Sequence, residues 1–338
     1  QNTIWSIGES NNSAEEFALS PDGYTRFLEK DFGWEDQFFA IGFSKEEENF
    51  PYVLPGSIDY WGGTSSLAGI RPHEVNVLFS LDLVGADEKY LLVIDILDCN
   101  PEKPPLLKLS MNEDFDWKHQ LEPGLSEDAL KGTGNRSKEQ KIRIPIDGKY
   151  LVSGGNRLRI TTLEGSWMVF DHLELQGPDQ SKLIPAEKAF IGSVKPAAYE
   201  IRLDESKFQP LLVDVQHLQG APEIKVILDN EEIFSRTLES GRSLYEVPMK
   251  AVVQPKQSNY RILINKKLVQ QGVVHRSSQN LIHKAQYVDT KIGTGHSRWM
   301  IAPGPWMPFS MVKISPDNQN SGWQAGYQPS FESVGTFS

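Results

Sequence analysis

Hydrophobic and polar residues alternate in short runs along the first half of the chain. Two segments, KIRIPI at 141–146 and RLRIT at 157–161, alternate strictly, which is typical of half-buried antiparallel strands. Further strand-like runs, rich in β-branched and aromatic residues and mostly bounded by turn formers, complete the pattern at 76–84, 89–97, 140–146, 156–163 and 167–175. Helix-like signals are brief, at 13–17 and 126–132. Without regular helices between the strands, parallel βαβ units are excluded, and the pattern predicts an all-β antiparallel sandwich.

A second group of strand-like runs follows a polar, turn-rich stretch at 175–185. Within it, Asp229 and Asn230 separate two hydrophobic runs, which is the signal of a β-hairpin. The strands expected here suit a small immunoglobulin-like sandwich. Another boundary is expected near 275–286. We therefore predict three domains, at 1–177, 178–280 and 281–338.

The composition is that of an acidic globular protein. Of 338 residues, 34 are Lys or Arg and 45 are Asp or Glu, which gives a formal net charge of −11. An acidic surface without a basic stripe repels a phosphate backbone, so no nucleic-acid partner is expected. No hydrophobic run approaches the roughly 18 to 20 residues that span a bilayer, so no membrane span is expected. The single cysteine, Cys99, excludes an intramolecular disulfide and a thiolate metal cluster.

The N-terminal half also carries more specific motifs. A turn at 154–156 leads into one strand, and the following strand carries Trp167 and Asp171 in a D-x-L-x-L ending. This segment resembles the closing hairpin of galactose-binding-type jelly rolls. The stretches IWSIGESNNSAEEF at 4–17 and FPYVLPGSIDYWGG at 50–63 resemble the corresponding domain of polysaccharide lyase family 4. The resemblance implies that the first predicted domain is a galactose-binding-type jelly roll.

Jelly rolls of this kind often bind sugars, because aromatic faces stack on pyranose C–H surfaces while polar groups pair with hydroxyls. The sequence DYWGG places Tyr60 and Trp61 between Asp59 and two glycines, as on an exposed loop. We predict Asp59, Tyr60, Trp61 and Trp34 as carbohydrate-binding residues. The alternative is that these aromatic residues fill the core or pack on a neighbouring domain.

The last part of the chain carries a different series of ordered motifs, V-D-x-x-I-G-T, P-G, P-F-x-M-V-x-x-S-P-D and G-W-x-x-G-Y. This series resembles the start of the family 92 glycoside hydrolases, the exo-acting α-mannosidases. The resemblance implies that 281–338 holds the first strands of that family's β-sandwich. The residues that carry it include Gly293, Thr294, Pro303, Gly304, Pro308, Phe309, Ser315, Pro316, Asp317, Gly322, Trp323 and Tyr327.

The family 92 resemblance also implies a larger protein. In that family, the rest of the β-sandwich and a helical barrel follow, and they carry the catalytic carboxylates and the ligands of a Ca²⁺ that grips mannose hydroxyls. Inversion needs a general acid and a general base about 6.5–9.5 Å apart, and the sequence identifies no such pair. We therefore expect no catalytic residue in this chain and no hydrolysis by it alone. Calcium remains the expected cofactor, with ligands that the sequence does not identify.

Two functional hypotheses follow from these motifs. In the first, the chain is the N-terminal accessory and carbohydrate-binding region of a secreted α-mannosidase-like hydrolase. Its partners are then a glycan and a downstream catalytic domain, and its location is extracytoplasmic, in the periplasm or outside the cell. In the second, the chain is a stand-alone carbohydrate-binding or scaffold protein without catalysis. The reading frame beyond Ser338 distinguishes the two.

Overall fold

A computed structural model describes residues 2–30, 32, 37–63, 72–112, 114–133, 136–279, 316–318 and 334–337. Strands dominate these residues, and the two α-helices found among them, α1 (Glu46–Asn49) and α2 (Asp128–Lys131), have four residues each. The predicted all-β class is confirmed. The stretch at 13–17 forms turns instead of a helix, and the Ser13 N–H at its start donates to the Asp171 carboxylate at 3.0 Å.

Eleven strands of the described residues build the first sandwich. They are β1 (Asn2–Gly8), β2 (Phe39–Ala40), β3 (Val53–Leu54), β4 (His73–Leu81), β5 (Lys89–Cys99), β6 (Leu106–Met111), β7 (Phe115–Gln120), β8 (Gln140–Asp147), β9 (Gly154–Glu164), β10 (Met168–Gly177) and β11 (Leu183–Ile184). One sheet has the order β1-β10-β5-β8, with β3 also paired to β10. The other has the order β11-β4-β9-β6-β7, with β2 parallel to β4.

The strand alternation predicted for KIRIPI is visible in β8. Ile142, Ile144 and Ile146 are buried in the core, whereas Lys141 and Arg143 on the opposite face are exposed. Burying each isoleucine side chain contributes about 1.5–3 kcal/mol. The period of two therefore fixes which face of this edge strand turns inward.

An aromatic cluster joins the two sheets of the first sandwich. The Phe50 ring lies 5.1 Å from that of Phe170 on β10 and 5.7 Å from that of Phe39 on β2. A third ring, that of Phe17, lies 5.3 Å from Phe50. Because β10 and β2 belong to different sheets, Phe50 packs at the centre of the sandwich and is fully buried.

Eight strands build the second sandwich. They are β12 (Ala189–Pro196), β13 (Ile201–Leu203), β14 (Ser206–His217), β15 (Glu223–Leu228), β16 (Glu231–Thr237), β17 (Arg242–Lys250), β18 (Lys256–Ile264) and β19 (Lys267–Arg276). One sheet has the order β12-β14-β13, with β17 on the other edge of β14, and the second has the order β16-β15-β18-β19. The predicted hairpin is confirmed, because Asp229 and Asn230 turn between β15 and β16 with φ of 49° and 73°. Asn and Asp tolerate these left-handed values better than most residues.

Each sandwich has its own hydrophobic core, and a small apolar cluster lies between them. In this cluster, Ala40 and Leu78 from the first sandwich join Ala186 and Phe190, which follow β11. The strand β11 pairs with β4, so the first sandwich uses residues beyond 177. The two boundaries between the three predicted domains themselves stay predictions.

In the last predicted domain, the described residues form β20 (Pro316–Asn318) and β21 (Val334–Phe337), which pair antiparallel. This pair is in keeping with the strands expected there. Across the described part of the chain, no helix has the length and apolarity needed to cross a membrane.

Candidate functional site

The carboxylate of Asp59 anchors the loop that was predicted to bind sugar. Its Oδ2 accepts a hydrogen bond from the Gly56 N–H at 2.7 Å, and its Oδ1 accepts one from the Ser166 hydroxyl at 2.6 Å. Burial raises the pKa of Asp59 to about 6, although both hydrogen bonds act in the opposite direction. The side chain therefore ties the 3-10 turn Tyr60–Gly62 to the turn before β10.

The two aromatic residues of this loop face different surroundings. Trp61 packs edge-on against the rings of Tyr24 and Phe27, at centroid distances of 5.2 and 6.0 Å. The Tyr60 side chain, in contrast, is 67% exposed. At Gly62, a Cβ atom would lie only 2.6 Å from the Pro55 ring, so the turn closes tightly behind Trp61. Of the described candidates, Tyr60 is the one that presents its ring to solvent.

Other predicted residues lie outside the part that the structure describes. Trp34 is one of them, so its predicted role in carbohydrate binding stays a prediction. Of the family 92 motif residues, Pro316 and Asp317 lie in β20. The motif residues outside the described part are Gly293, Thr294, Pro303, Gly304, Pro308, Phe309, Ser315, Gly322, Trp323 and Tyr327.

A second constellation, which the sequence did not identify, lies on the first sheet. Asp95 of β5, Asp171 of β10 and Glu139, just before β8, place one carboxylate oxygen each within 4.8 Å of one another. The Lys141 Nζ atom lies 2.5 Å from Asp95 Oδ2, which also accepts a hydrogen bond from the Ser10 hydroxyl at 3.1 Å. Asp95 and Asp171 are fully buried, and Glu139 is exposed.

The pKa values of Glu139, Asp171 and Lys141 are all raised in this cluster. A hydrogen bond with Asp95 raises the pKa of Glu139, and the nearby negative charges act in the same direction. Burial raises the pKa of Asp171, against the effect of the Ser13 N–H. The Asp95 carboxylate raises the pKa of Lys141. The shifts of Glu139 and Lys141 are those expected beside a second carboxylate, and the shift of Asp171 is that expected of a buried one.

These residues fit the donor set of a calcium ion. Asp95 Oδ1 and Asp171 Oδ2 are buried and accept no hydrogen bond, and such orphaned oxygens are costly unless a cation or a proton satisfies them. Ca²⁺ prefers carboxylate oxygens. The carboxylates of Asp95, Asp171 and Glu139 would hold the ion. The ion would compensate the negative charge that Lys141 alone leaves uncompensated. Because Ser10 and Ser13 bond to the two aspartates, the site would also fix the loop after β1.

One feature of the sequence could have indicated this cluster. Asp95 interrupts the hydrophobic run LLVIDIL, and a carboxylate inside a strand buried on both faces requires a partner. Asp171 belongs to the D-x-L-x-L ending already noted. Their proximity follows from the antiparallel pairing of β5 with β10, in which Asp95 faces His172, and sequence spacing alone does not reveal that pairing.

Comparison with known proteins identifies the first sandwich. The family model described as polysaccharide lyase family 4, domain III, a CBM-like domain, matches residues 3–175, just over half of the chain. The chain belongs to the polysaccharide lyase family 4 domain III family. The domain III residues include Asp59, Tyr60 and the three carboxylates described above. The predicted resemblance is therefore confirmed for the first sandwich.

A second family model, the N-terminal domain of glycosyl hydrolase family 92, matches residues 287–338. The resemblance predicted for the last domain is thereby confirmed. Both matched domains come from carbohydrate-active proteins, so the domain III chain is itself related to proteins of that class. No curated protein matches the chain.

Several solved structures resemble parts of the chain. The β-D-mannosidase from Dictyoglomus thermophilum is 10% identical with a TM-score of 0.22, over 61% of this chain and 29% of that chain. A GH2 β-galacturonidase from Eisenbergiella tayi is 8% identical with a TM-score of 0.22, over 67% and 41%. A putative β-galactosidase from Bacteroides fragilis is 10% identical with a TM-score of 0.23, over 73% and 35%. The domain III chain thus spans less than half the length of each. With TM-scores this low, the likenesses support no functional argument.

Proposed function

We propose that this chain is the N-terminal, carbohydrate-binding accessory region of a secreted α-mannosidase-like glycoside hydrolase. The observation that carries the proposal is the order of the two matched modules. A CBM-like domain at 3–175 precedes the N-terminal domain of a family 92 hydrolase at 287–338. A binding module that precedes a hydrolase domain on one chain raises the local concentration of the substrate glycan at that domain.

The exposed ring of Tyr60 supports sugar binding by the CBM-like domain. Asp59 and Trp61 hold the turn rigid from both sides, through the hydrogen bonds to Gly56 and Ser166 and through ring packing. An aromatic ring fixed in this way loses little conformational freedom when a pyranose stacks on it. The proposed binding residue is therefore Tyr60, with Asp59 and Trp61 as positioning residues.

Glycan binding is tested by affinity electrophoresis of the full chain through gels that contain yeast mannan. Tyr60→Ala is expected to reduce the retardation, with a loss of affinity of about three- to tenfold, because one stacked ring contributes on the order of 1 kcal/mol. Leu244→Ala removes an apolar side chain of comparable exposure, 59%, from the second sandwich and serves as the control. Equal mobility of the wild type with and without mannan, and with other neutral polysaccharides, contradicts the proposal.

The link to hydrolysis is tested separately. We expect the reading frame to continue past Ser338 into the remainder of a family 92 hydrolase, and we expect this chain alone not to cleave an aryl α-mannoside. Hydrolysis that disappears when a carboxylate of this chain is mutated contradicts the accessory role. A reading frame that ends at Ser338 favours the stand-alone binding protein instead.

A further inference from the structure

The two sandwiches enclose a cleft with a volume of about 700 Å³, which is within the usual range for small-molecule sites. On one side lie parts of β4 and β9 and the turn after β6. On the other lie parts of β12, β14, β17, β18 and β19. The apolar cluster around Leu78 and Phe190 closes one part of the cleft and packs the sandwiches against each other. The cleft is therefore built by both sandwiches.

Planar polar side chains of the first sandwich are fixed in this cleft. Arg157 donates from Nε and Nη2 to Asn76 Oδ1 at 2.9 and 2.7 Å, and its backbone N–H donates to Asn112 Oδ1 at 2.9 Å. Asn112 also donates to Asn156 Oδ1 at 2.8 Å, and its φ of 54° places it in the left-handed region. A network of this kind orients hydrogen-bonding groups before any ligand arrives.

The second sandwich contributes matching groups across the cleft. Arg242 of β17 makes two hydrogen bonds with Asp214 of β14, at 2.9 and 2.6 Å. Gln270 of β19 is 6% exposed, and its Oε1 is buried without a hydrogen bond, while its Nε2 donates to the Tyr260 hydroxyl at 3.4 Å. The amide of Gln270 packs against Gly154 of β9, so this side chain joins the two sandwiches at the side of the cleft.

An irregularity of the backbone opens the same cleft. The register between β12 and β14 shifts between Ile191 and Val194, so Gly192 and Ser193 bulge out of the strand, and both line the cleft. Bulges are frequent next to binding sites, where they redirect a strand or its side chains. Here the bulge places Gly192 and Ser193 along the cleft, next to Ile191, where the backbones of the two sandwiches approach closely.

The charges that line the cleft nearly balance, with Arg157, Lys195 and Arg242 positive and Asp114 and Asp214 negative. Asp214 pairs with Arg242, and Glu74 lies 3.7 Å from Arg157. The remaining charged lining residues, Lys195 and Asp114, have opposite signs. A phosphorylated or polyanionic ligand would require uncompensated positive charge. An apolar ligand would leave the amides and carboxylates without partners.

We propose that this cleft is a binding site for a neutral oligosaccharide, distinct from the Tyr60 loop. Amide, guanidinium and carboxylate groups together supply both the donors and the acceptors that vicinal hydroxyls require. Phe38 and Phe190 supply apolar surface for the C–H faces of the sugar. Because both sandwiches line the site, a bound saccharide also bridges them, and its binding stabilises their present arrangement.

The full chain is titrated calorimetrically with four probes: mannotriose, galactotriose, xylotriose and the anionic trigalacturonate. At least one neutral trisaccharide is expected to bind. Ser193→Trp fills the cleft and is expected to abolish this binding, and Arg242→Ala is expected to weaken it about tenfold or more. The matched controls lie away from the cleft. Ser206→Trp is at the end of β14 opposite to Asp214 and Gln216, and Arg236→Ala removes an arginine that pairs with Glu239 at the β16 edge of its sheet, opposite to β19. Both controls are expected to bind as the wild type does.

The same titrations separate this proposal from the proposed function. Binding that Tyr60→Ala removes and Ser193→Trp leaves intact overturns the cleft site and supports the loop site. Stronger binding of trigalacturonate than of every neutral probe overturns the assignment to a neutral ligand. Absence of binding by any probe contradicts the cleft site, whereas the Tyr60 loop is tested by the mannan electrophoresis. Circular dichroism and melting temperature establish that each variant is folded, and Ser193→Trp and Arg242→Ala probe opposite sides of β14.

Discussion

The buried carboxylate of Asp59 predicts a stability that depends on pH in a defined direction. Its pKa is about 6 in the folded protein and 3.8 in the unfolded chain. The folded state therefore keeps the proton to higher pH, and ionisation of Asp59 lowers the free energy of unfolding as the pH rises from about 4 to 6. The full difference is about 3 kcal/mol, of which about 2 kcal/mol develops between pH 4.5 and pH 7.

The variant Asp59→Asn does not titrate. Its free energy of unfolding, relative to the wild type, is expected to rise by about 2 kcal/mol between pH 4.5 and pH 7. Urea unfolding followed by tryptophan fluorescence measures this difference through the tryptophans of the first sandwich. The second sandwich contains no tryptophan, and the three tryptophans of the last predicted domain give a signal that the variant and the wild type share. The eight tryptophans are Trp5, Trp34, Trp61, Trp117, Trp167, Trp299, Trp306 and Trp323.

The test uses the change with pH of the free energy of unfolding relative to the wild type. Its value at any single pH is less informative, because the Asn side chain also replaces one acceptor toward Ser166 with a donor. Asp87→Asn, at an exposed position between β4 and β5, is the control and is expected to show no such pH dependence. If the Asp59→Asn difference stays constant from pH 4.5 to pH 7, or falls, then burial of this carboxylate does not perturb its ionisation as argued.

Three further predictions concern packing and calcium. Trp61→Ala is expected to lower the free energy of unfolding by about 2–4 kcal/mol, whereas Tyr60→Ala changes it by less than about 0.5 kcal/mol; denaturant unfolding measures both. Gly155→Ala would place a Cβ atom 1.8 Å from the Ile191 carbonyl oxygen, so we expect a loss of about 3 kcal/mol in calorimetric melting, and an unchanged melting profile contradicts the close approach. Calcium at about 100 times its Kd is expected to stabilise the first sandwich by about 2.7 kcal/mol. A chelator reverses this gain and Asp171→Asn removes it, and a melting temperature unaffected by calcium excludes the site.

Local sequence signals predicted the strands well. The alternation in β8 and the Asp229–Asn230 turn depend on residues within a few positions of each other, so the sequence displays them directly. The same holds for the D-x-L-x-L ending of β10. Period and turn chemistry were sufficient for the all-β class, because both are properties of short segments.

The candidate sites depended on contacts that no local pattern reveals. Asp59 was predicted to face a sugar, but its hydrogen-bond partner Ser166 lies 107 positions later in the chain. Trp61 was equally a candidate for the surface until the structure placed it against Tyr24 and Phe27. Burial of this kind is decided by which segments meet in the fold, and composition of the loop alone is compatible with either outcome.

The motif that first indicated a jelly roll contributes to the cleft as well. The sequence predicted that Gly154, Gly155 and Asn156 form a turn before a strand. In the structure, Gly154 has a φ of 116° and Gly155 touches the backbone of β12, while Asn156 donates to the carbonyl groups of Val152 and Gly154 and accepts from the Val152 N–H. Glycine is required at position 155 because the β12 backbone of the second sandwich lies against it. The hydrogen bonds of Asn156 stabilise the turn. The short motif thus joins the two sandwiches and forms one wall of the proposed oligosaccharide site.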